Sequence, residues 1–326
     1  MLLSCGDALI DFLPIKAADG RAALMPVPGG SCLNMAIGMA RLGAPTGFAG
    51  GISTDLFGWM IADHAERSQV DLRYATRSAH PTTLAFVRVV NDEPQYAFYD
   101  EGTASRHWTY RKGSIPFAEI DAIHVGSTTL VNPAGAAETL AMVEDARGLT
   151  TVSFDPNCRP NLIQDKAQYV RRMTEFTARA DIVRLSEDDF AFLYGDSEHA
   201  AKAKTLLAAG VALFVVTRGI RGAVAWHARA GVVEVEARTV ELVDTIGAGD
   251  SFQAGLLFAL KSIERIAGTS LARMTRHELH RVLTFATACA AFTCGRAGAD
   301  PPRLRELDPE TLPNQGGPCE SAASVS

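Results

Sequence analysis

The sequence predicts an α/β fold, a doubly wound and mostly parallel sheet, with a small antiparallel β lid. Short apolar runs bounded by turn residues alternate with longer helix-like segments, a pattern typical of parallel sheets covered by helices on both faces. The chain has 326 residues and is 47% hydrophobic, which suits one large domain with a continuous core. Two segments without helical periodicity interrupt the alternation, and they predict the lid.

The core elements follow in chain order. Strands are predicted at 2–11, 46–53, 121–127, 149–155, 181–186 and 212–219. Helices are predicted at 31–43, 54–68, 134–148, 187–195, 202–210, about 249–261 and 276–294. Gly43 ends the first helix because glycine tolerates a positive φ, and Thr54 or Asp55 caps the second.

The lid is predicted from two segments that lack a helix. Residues 12–30 contain short extended pieces, and residues 81–100 contain β-rich runs joined by the turn-forming "NDEP". The predicted core comprises residues 1–12, 31–80 and 105–312, and the predicted lid comprises residues 13–30 and 81–104. Such a lid would keep water out of a reaction. Residues 313–326, rich in Gly, Pro and Ser, are predicted to be a disordered tail.

Composition excludes several classes of function. The net charge of −6 and the absence of a basic run argue against binding to nucleic acid or to an anionic membrane. The N-terminus has no basic start, and no apolar stretch of about 18 residues occurs, so neither a signal peptide nor a membrane span is predicted. Six scattered cysteines without metal-type spacing indicate free thiols. We expect a cytoplasmic protein.

The segment "DTIGAGDSF" (244–252) is the strongest candidate for chemistry. Gly247, Ala248 and Gly249 form a turn that enters a helix, and the unpaired amides of such a turn bind anions. Asp250 would be repelled by a bound phosphate unless it served as a general base for an attacking alcohol. The alternative is a tight turn with an acidic helix cap. The spacing does not match a P-loop.

Four segments together resemble the ribokinase-like (PfkB-type) carbohydrate kinases. They are "VDTIGAGDSF" (243–252), "GGSCLNMAIGMARLG" (29–43), "GGISTDLFG" (50–58) and "VVTRGIRGA" (215–223). The matches occur in family order from about residue 5 to about residue 302. The resemblance implies a ribokinase-like fold and an ATP-dependent sugar kinase, with Asp250 as the catalytic base and Gly247, Ala248 and Gly249 as the anion hole.

The same resemblance implies a sugar site. Asp11, Gly29, Gly30 and Asn34 would bind the sugar hydroxyls, because a polyol needs converging donors and acceptors and a close backbone approach. Each residue has a structural alternative. Asn34 could be a first-turn helix residue, Asp11 a strand-end cap, and Gly29 and Gly30 a hinge to the lid.

The resemblance also implies binding of ATP and Mg²⁺. Ser186, Thr217, Gly219, Gly222 and Ala286 correspond to nucleotide contacts, although the small residues around Ala286 could equally be ordinary helix packing. Asp189 stands where the family has a glutamate and would act on Mg²⁺ through water. A monovalent cation such as K⁺ would lie near Asp244 and carbonyls around Ile246, Thr293, Arg296 and Gly298.

Three further segments are most similar to bacterial fructokinases: "GDALIDFLP" (6–14), "DPNCRP" (155–160) and "FYDEGTA" (98–104). They imply phosphorylation of D-fructose to fructose 6-phosphate, with Phe98 over the sugar and Arg159 on the sugar or its phosphate. Phe98 could instead face the lid's own interface, and Arg159 could be structural. A 2-keto-3-deoxygluconate kinase, or another sugar or nucleoside kinase of the family, is the alternative. The keto-deoxy acid would need a cation, for which Arg88, Arg106 and Arg159 are candidates.

Two other functions are less well supported. A nicotinamide dehydrogenase needs GxGxxG directly after the first strand, and that motif is missing there. A non-catalytic sugar sensor would lack the base or the anion-hole glycines, and both are present. The family often dimerises through its lid strands, so we expect a homodimer in which Phe86, Tyr96 and Phe98 form the contact surface.

Overall fold

The structure, a computed structural model, describes residues 1–90 and 93–313. Only the backbone is described for residues 88–90 and 93–96. The turn at Asn91 and Asp92 of the predicted hairpin, and residues 314–326 of the predicted tail, lie outside the described residues.

The described strands form the predicted main sheet and lid, and a further sheet of two strands, Gly51–Ser53 and Thr76–Ser78, that was not predicted. The strands are β1 Leu2–Cys5, β2 Leu9–Lys16, β3 Ala22–Gly29, β4 Thr46–Ala49, β5 Gly51–Ser53, β6 Val70–Asp71, β7 Thr76–Ser78, β8 Thr83–Val90, β9 Glu93–Tyr99, β10 Ala122–Gly126, β11 Thr151–Asp155, β12 Ile182–Ser186, β13 Leu213–Thr217, β14 Ala223–His227 and β15 Gly231–Val235. The main sheet has nine strands in the order β15-β14-β13-β12-β11-β10-β1-β4-β6. It is parallel from β13 to β6, and β14 and β15 extend it as an antiparallel hairpin.

Helices cover both faces of the main sheet. They are α1 Ser31–Arg41, α2 Leu56–Arg67, α3 Pro133–Ala146, α4 Lys166–Thr177, α5 Glu187–Tyr194, α6 His199–Ala208, α7 Ala248–Ser262, α8 Gly268–Ala272 and α9 Arg276–Cys294. Asp55 caps α2 by accepting a hydrogen bond from the Gly58 amide, which decides between the two predicted caps. None of the helices within residues 1–90 and 93–313 combines the length and apolar character needed to span a lipid bilayer.

The core lies in layers on the two faces of this sheet. Residues of α3, α4, α5 and α6 pack against one face, around Phe154, Phe176 and Phe214. Residues of α1, α7 and α9 pack against the other, around Phe252 and Phe285. Because α1 and α7 are neighbours on this second face, their N-termini lie side by side at the carboxyl ends of the strands.

The predicted lid is a four-stranded sheet in the order β3-β2-β8-β9. Asp11 pairs with Ala85 and Ala85 pairs with Phe98, so these residues share one face. Phe12 and Phe86 lie on the opposite face, where their rings stack with centroids 4.6 Å apart. Phe86 and Phe98 therefore face opposite ways, and the single contact surface predicted for Phe86, Tyr96 and Phe98 does not exist. The Tyr96 side chain is not described.

Two predicted strands are divided in the structure. The strand predicted at 2–11 ends at Cys5, and the chain resumes as β2 at Leu9, in the lid. Gly6, with φ +150°, makes this change of direction, and a Cβ there would lie 2.5 Å from the Cys32 Sγ. The predicted core boundary at residue 12 is therefore wrong, since residues 9–12 are lid. The strand predicted at 46–53 divides at Gly50, where a Cβ would lie 2.3 Å from the Gly6 carbonyl oxygen.

Six strands and α-helices were not predicted: β6, β7, α4, the two strands of the β14–β15 hairpin, and α8. The hairpin is built on alternating residues of modest hydrophobicity, "AVAWH" and "GVVEV", and it lies at the edge of the sheet. The order of the core is otherwise as predicted from residue 121 to residue 294.

Candidate active site

A cavity of about 740 Å³ lies between the lid and the ends of the main strands. We call it the sugar cavity, after the ligand predicted for Asp11, Gly30 and Asn34, which line it. Its lid side is apolar, with Leu9, Leu13, Val87 and Phe98. Its charged lining residues are Asp7, Asp11, Asp244, Asp250 and Arg159. Four acids against one cation make the cavity strongly acidic.

Asp250 lies in the first turn of α7 and faces this cavity. The Ser31 Oγ donates a 2.6 Å hydrogen bond to Oδ1 of Asp250, and the Asn34 Nδ2 donates a 2.9 Å bond to Oδ2. Burial raises the pKa of Asp250 above its ordinary value, and the two hydrogen bonds limit that rise. Both donors belong to α1, so α1 orients the carboxylate. A raised pKa suits a group that must take up a proton.

Asp11 lines the sugar cavity from β2. It is the third residue of the strand rather than a cap at its end. Burial, with a further contribution from the negative charge of Asp7, raises the pKa of Asp11 to about 7. Gly29 lies beside it, and a Cβ on Gly29 would lie 2.2 Å from the Asp11 Oδ2. Gly29 is therefore required for the Asp11 carboxyl to occupy its position.

Gly30 and Asn34, two of the predicted sugar contacts, line the same cavity. Gly30 lines the cavity with φ +103°, and a Cβ there would lie 2.8 Å from the Asp7 carbonyl oxygen. Asn34 is a first-turn residue of α1 and a cavity residue at once, with 7% of its surface exposed. A role as a hinge or as a helix residue therefore does not exclude the predicted contact with a sugar.

Asp7 was not predicted as a site residue. It lines the sugar cavity and is buried, and its carboxylate accepts hydrogen bonds from the Cys32 amide, the Ser127 hydroxyl and the Thr128 hydroxyl. These bonds join the loop after β1 to α1 and to the end of β10. Asp7 thereby fixes the geometry of the cavity floor. The sequence offered one signal, an acid directly after a buried strand.

The "DPNCRP" turn contributes two residues to the cavity. Asn157, with φ +41°, and Arg159 both line it. The Arg159 Nη1 donates to the side-chain and main-chain oxygens of Asn157 and to the Cys158 carbonyl. Arg159 is thus both a structural residue of its turn and a cation at the sugar cavity.

The turn before α7 presents unpaired amides. Within the described residues, no acceptor is found for the amides of Gly247, Gly249 and Asp250. The Ala248 amide makes one long bond, 3.3 Å, to the Thr245 carbonyl. Gly247 adopts φ +75°, the left-handed conformation that favours glycine. The turn thus exposes the amides of Gly247 and Gly249 together with that of Asp250, and the binding of an anion by them stays a prediction.

A second cavity, of about 440 Å³, lies on the other side of this turn. We call it the nucleotide cavity, after the ligand predicted for residues that line it. Its lining includes three of the predicted nucleotide contacts, Thr217, Gly219 and Gly222. Ala248, from the turn before α7, also lines it. Leu242, Thr245 and Gly249 line both cavities, so the two meet at the anion hole.

Ala286 does not line the nucleotide cavity, contrary to the prediction. Its side chain is fully buried, and the neighbouring Gly255 on α7 approaches it so closely that a Cβ there would lie 3.1 Å from the Ala286 Cα. Thr287, Ala290 and Ala291 line the cavity instead. The helix was predicted correctly, but the residues that face the cavity lie one, four and five positions after Ala286.

Ser186 and Asp189 lie outside both cavities. They form a capping box on α5: the Asp189 amide donates to the Ser186 Oγ, which in turn donates to the Asp189 Oδ2. The other Asp189 oxygen accepts from the Cys158 amide at 2.7 Å. Ser186 also pairs with Thr217 across β12 and β13. The structure thus gives both residues a structural role, and their contacts to nucleotide or magnesium remain predictions.

Asp244 joins two loops at the edge of the sugar cavity. Its Oδ1 accepts from the Ile246 amide at 3.0 Å, and its Oδ2 accepts from the Gly298 amide at 2.8 Å. Three of the groups predicted around a monovalent cation are therefore close together. Among the described residues, no three His, Cys, Asp or Glu side chains form a cluster that could hold a metal ion.

One residue that was not predicted stands out in the nucleotide cavity. Arg184, in the middle of β12, is a buried guanidinium that pairs with Asp155 at 2.6 Å. Burial lowers the pKa of Arg184, but the adjacent Asp155 outweighs this effect and the pKa lies above its ordinary value. A charged residue between apolar neighbours in "DIVRLS" was the available signal.

One of the three candidate cations for an acidic substrate, Arg106, lies outside the sugar cavity. Arg106 forms an ion pair with Asp100. The Arg88 side chain is not described, which leaves Arg159 as the cation at the cavity among the described side chains.

Comparison with known proteins gives one consistent family. Residues 2–306 match the pfkB family carbohydrate kinases. Fructokinase from Rhizobium leguminosarum bv. trifolii is 38% identical over 262 residues, which cover 80% of this chain and 80% of the relative.

Solved structures agree with the sequence comparison. The fructokinase from Xylella fastidiosa with bound ATP superposes with a TM-score of 0.83 at 26% identity, covering 91% of this chain and 93% of that one. The fructokinase from Vibrio cholerae O395, with fructose, ADP and calcium ion bound, superposes with a TM-score of 0.78 at 26% identity, covering 91% and 94%.

Proposed function

The chain belongs to the pfkB family of carbohydrate kinases, and we propose that it transfers the γ-phosphate of ATP to D-fructose, forming fructose 6-phosphate. The observation that carries this proposal is the meeting of the two cavities at Gly249. A nucleotide in one cavity and a sugar in the other would meet at the unpaired amides before α7, beside the Asp250 carboxylate.

The charges of the sugar cavity favour a neutral polyol. Asp7, Asp11, Asp244 and Asp250 line it with Arg159 as the single cation among the described side chains. Sugar hydroxyls donate hydrogen bonds to carboxylates, whereas a substrate carboxylate would be repelled by them. The apolar lid residues suit the carbon face of a sugar ring. The relatives and solved neighbours named fructokinase support fructose within this class.

The chemistry follows from the two sides of the junction. The Asp250 carboxylate takes the proton of the attacking hydroxyl as the oxygen–phosphorus bond forms and the bond to the ADP oxygen breaks. The amides of Gly247, Gly249 and Asp250 donate to the phosphoryl oxygens, whose charge must be stabilised in a water-poor site. The lid excludes water, which would otherwise accept the phosphoryl group.

The described residues do not supply a magnesium site of their own. Asp189 lies outside both cavities, and its two oxygens accept hydrogen bonds within the protein. Mg²⁺ retains waters readily and binds phosphate oxygens, so we propose that it arrives with ATP. No step described above depends on a magnesium ligand from this chain. The predicted potassium site near Asp244 also stays a proposal.

Asp250→Asn tests the proposed chemistry. The amide keeps the shape of the side chain but cannot take a proton, so turnover should fall by about 10²–10⁴-fold while the affinity for fructose changes little. Asp63→Asn, on the exposed surface of α2, is a matched control. Unchanged turnover in Asp250→Asn would exclude Asp250 as the base.

A substrate panel tests the choice of sugar. Coupled ADP-release rates should be measured with fructose, 2-keto-3-deoxygluconate, ribose and adenosine. We expect the highest kcat/KM for fructose. A higher value for 2-keto-3-deoxygluconate would favour the alternative, with Arg159 binding its carboxylate.

We also propose that the protein forms a homodimer through its lid. Two large apolar side chains are exposed on the lid face that carries Phe12 and Phe86: Leu24 (46%) and Tyr99 (64%). An exposed sheet with such residues is typical of contact surfaces. Sedimentation velocity should show a dimer for the wild type and a monomer for Leu24→Asp. A wild type that sediments only as a monomer would exclude the dimer.

A further inference from the structure

Arg184 is a buried cation that the protein satisfies only in part. Its side chain is 7% exposed. Nη1 donates to the Asp155 Oδ2, and Nη2 donates to the Thr217 Oγ1, both at 2.6 Å. Nε has no hydrogen-bond partner in the described part of the chain. A guanidinium carries five N–H donors, so three of them lack an acceptor among the described residues.

Unpaired donors on a buried charge are unfavourable. Each buried donor without an acceptor costs about 1–3 kcal/mol, and more when the group is charged. The sequence of β12 could have placed an apolar side chain here, as it does at Ile182 on the same face of the strand. The arrangement therefore indicates an acceptor that the chain itself does not provide.

The guanidinium lies directly under the turn that joins the two cavities. A Cβ on Gly249 would lie 3.1 Å from both Nη1 and Nη2 of Arg184. Arg184 lines the nucleotide cavity, and Gly249 lines both cavities. The positive charge is thus placed where a chain of phosphates would pass from one cavity to the other.

The charge of the nucleotide cavity is opposite to that of the sugar cavity. Its charged lining residues are Arg184 and Arg238, and the described lining includes no acid. Arg238 has 43% of its side chain exposed and lies 3.5 Å from Asp308, so it stands at the rim. Arg184 is the buried cation of this cavity.

We propose that Arg184 binds the terminal phosphates of ATP from below the anion hole. This inference rests on the proposed function. Asp155 and Thr217 hold the planar guanidinium in place, so its remaining donors are already oriented for phosphate oxygens. Because the donors are preorganised in a dry site, they stabilise charge on the transferring group without rearrangement.

Two substitutions test this proposal. Arg184→Gln removes the charge, and Arg184→Lys keeps the charge but not the planar fork. We expect kcat/KM for ATP to fall by about 100-fold in Arg184→Gln, with a smaller loss in Arg184→Lys. KM for fructose should stay within about threefold of the wild type, because Arg184 does not line the sugar cavity. A value of kcat/KM for ATP equal to the wild type in Arg184→Gln would overturn the proposal.

A binding experiment separates phosphate contact from cavity shape. Calorimetric titration of each variant with ADP and with adenosine should show weaker binding of ADP by about tenfold or more, and unchanged binding of adenosine. Equal losses for both ligands would mean that Arg184 only shapes the cavity. This measurement needs no sugar, so it still tests Arg184 if fructose proves not to be the substrate.

The double variant Asp155→Asn with Arg184→Gln separates phosphate binding from charge balance. It removes both members of the buried ion pair and leaves no lone buried charge. If Arg184 serves only to neutralise Asp155, the double variant should recover the ATP kcat/KM lost in Arg184→Gln. We expect the double variant to recover the thermal stability lost in Arg184→Gln but not the ATP kcat/KM. If Arg184→Gln does not fold, the double variant is compared with the wild type in its place.

Discussion

The Ser31 hydroxyl lies 2.6 Å from the Asp250 carboxylate, joining the first residue of α1 to the first turn of α7. The two residues are 219 positions apart in sequence. The contact places the N-termini of two helices around one carboxylate. The hydrogen bond from Ser31 also lowers the pKa of Asp250 and so opposes burial, which raises that pKa.

Ser31→Ala should therefore raise the pKa of Asp250 further. A base with a higher pKa is protonated up to a higher pH, so the acid limb of the kcat/KM profile should move towards higher pH. At neutral pH we expect a loss of about tenfold, as for a hydrogen bond to a charged group. The measurement is kcat/KM for the sugar from pH 5 to 9. Ser31→Thr keeps the hydroxyl, and an identical profile in Ser31→Ala would contradict this account.

Asp11 should make sugar affinity depend on pH. Burial raises its pKa to about 7, so the carboxyl is neutral below that pH and ionised above it. An ionised carboxylate accepts stronger hydrogen bonds from sugar hydroxyls, so affinity should rise by about fivefold as the pH increases from 5.5 to 8.5. The titration is best made in an Asp250→Asn background, which removes the second titrating acid. Adding Asp11→Asn should abolish the pH dependence; if it persists, another group causes it.

The same residue should affect stability with a defined sign. The pKa of Asp11 is higher in the folded protein than its ordinary value, so the folded state holds this proton more tightly than the unfolded chain. Its contribution to stability is therefore lost as the pH rises from about 4 through about 7. We expect Asp11→Asn to raise Tm relative to the wild type at pH 8 and to have a smaller effect at pH 5.

Two glycines of the anion hole should respond differently to alanine. Gly247 has φ +75°, and its Cβ would lie 2.6 Å from the Ala299 Cβ, so Gly247→Ala should destabilise the fold by at least about 1–2 kcal/mol. Gly249 has no left-handed φ, and its Cβ would meet the Arg184 guanidinium at 3.1 Å. Gly249→Ala should therefore change Tm little and reduce kcat/KM for ATP strongly. Denaturation curves and ATP kinetics on both variants would check this contrast.

Much of the site could be predicted because its groups come from short local motifs. Asp250, Gly247 and Gly249 lie within four residues, and Gly29, Gly30 and Asn34 lie within six. Each motif contains its own backbone requirement, such as a left-handed turn or a helix start. The structure brings these two motifs together at one cavity, and most strands and helices of the core lie where the apolar runs predict them.

The residues that sequence alone could not assign depend on long-range packing. Arg184 lines the nucleotide cavity only because β12 lies beside β13 and under the turn at Gly249. The direction of Phe98 follows from its register with Ala85. The division of the first strand at Gly6 depends on the closeness of Cys32. None of these relationships is contained in local periodicity.

Substitutions on α9 test directly which of its residues line the nucleotide cavity. Ala290 lines this cavity, whereas Ala286, one turn earlier, is fully buried against α7. In Ala290→Leu, the larger side chain would enter the cavity, so KM for ATP should rise by about tenfold while KM for fructose and Tm stay close to the wild type. In Ala286→Leu, the added carbons have no space in the core, so stability should fall by about 1–3 kcal/mol. Thermal denaturation and ATP kinetics on this pair separate the two outcomes, and a raised KM for ATP in a stable Ala286→Leu would restore the original prediction.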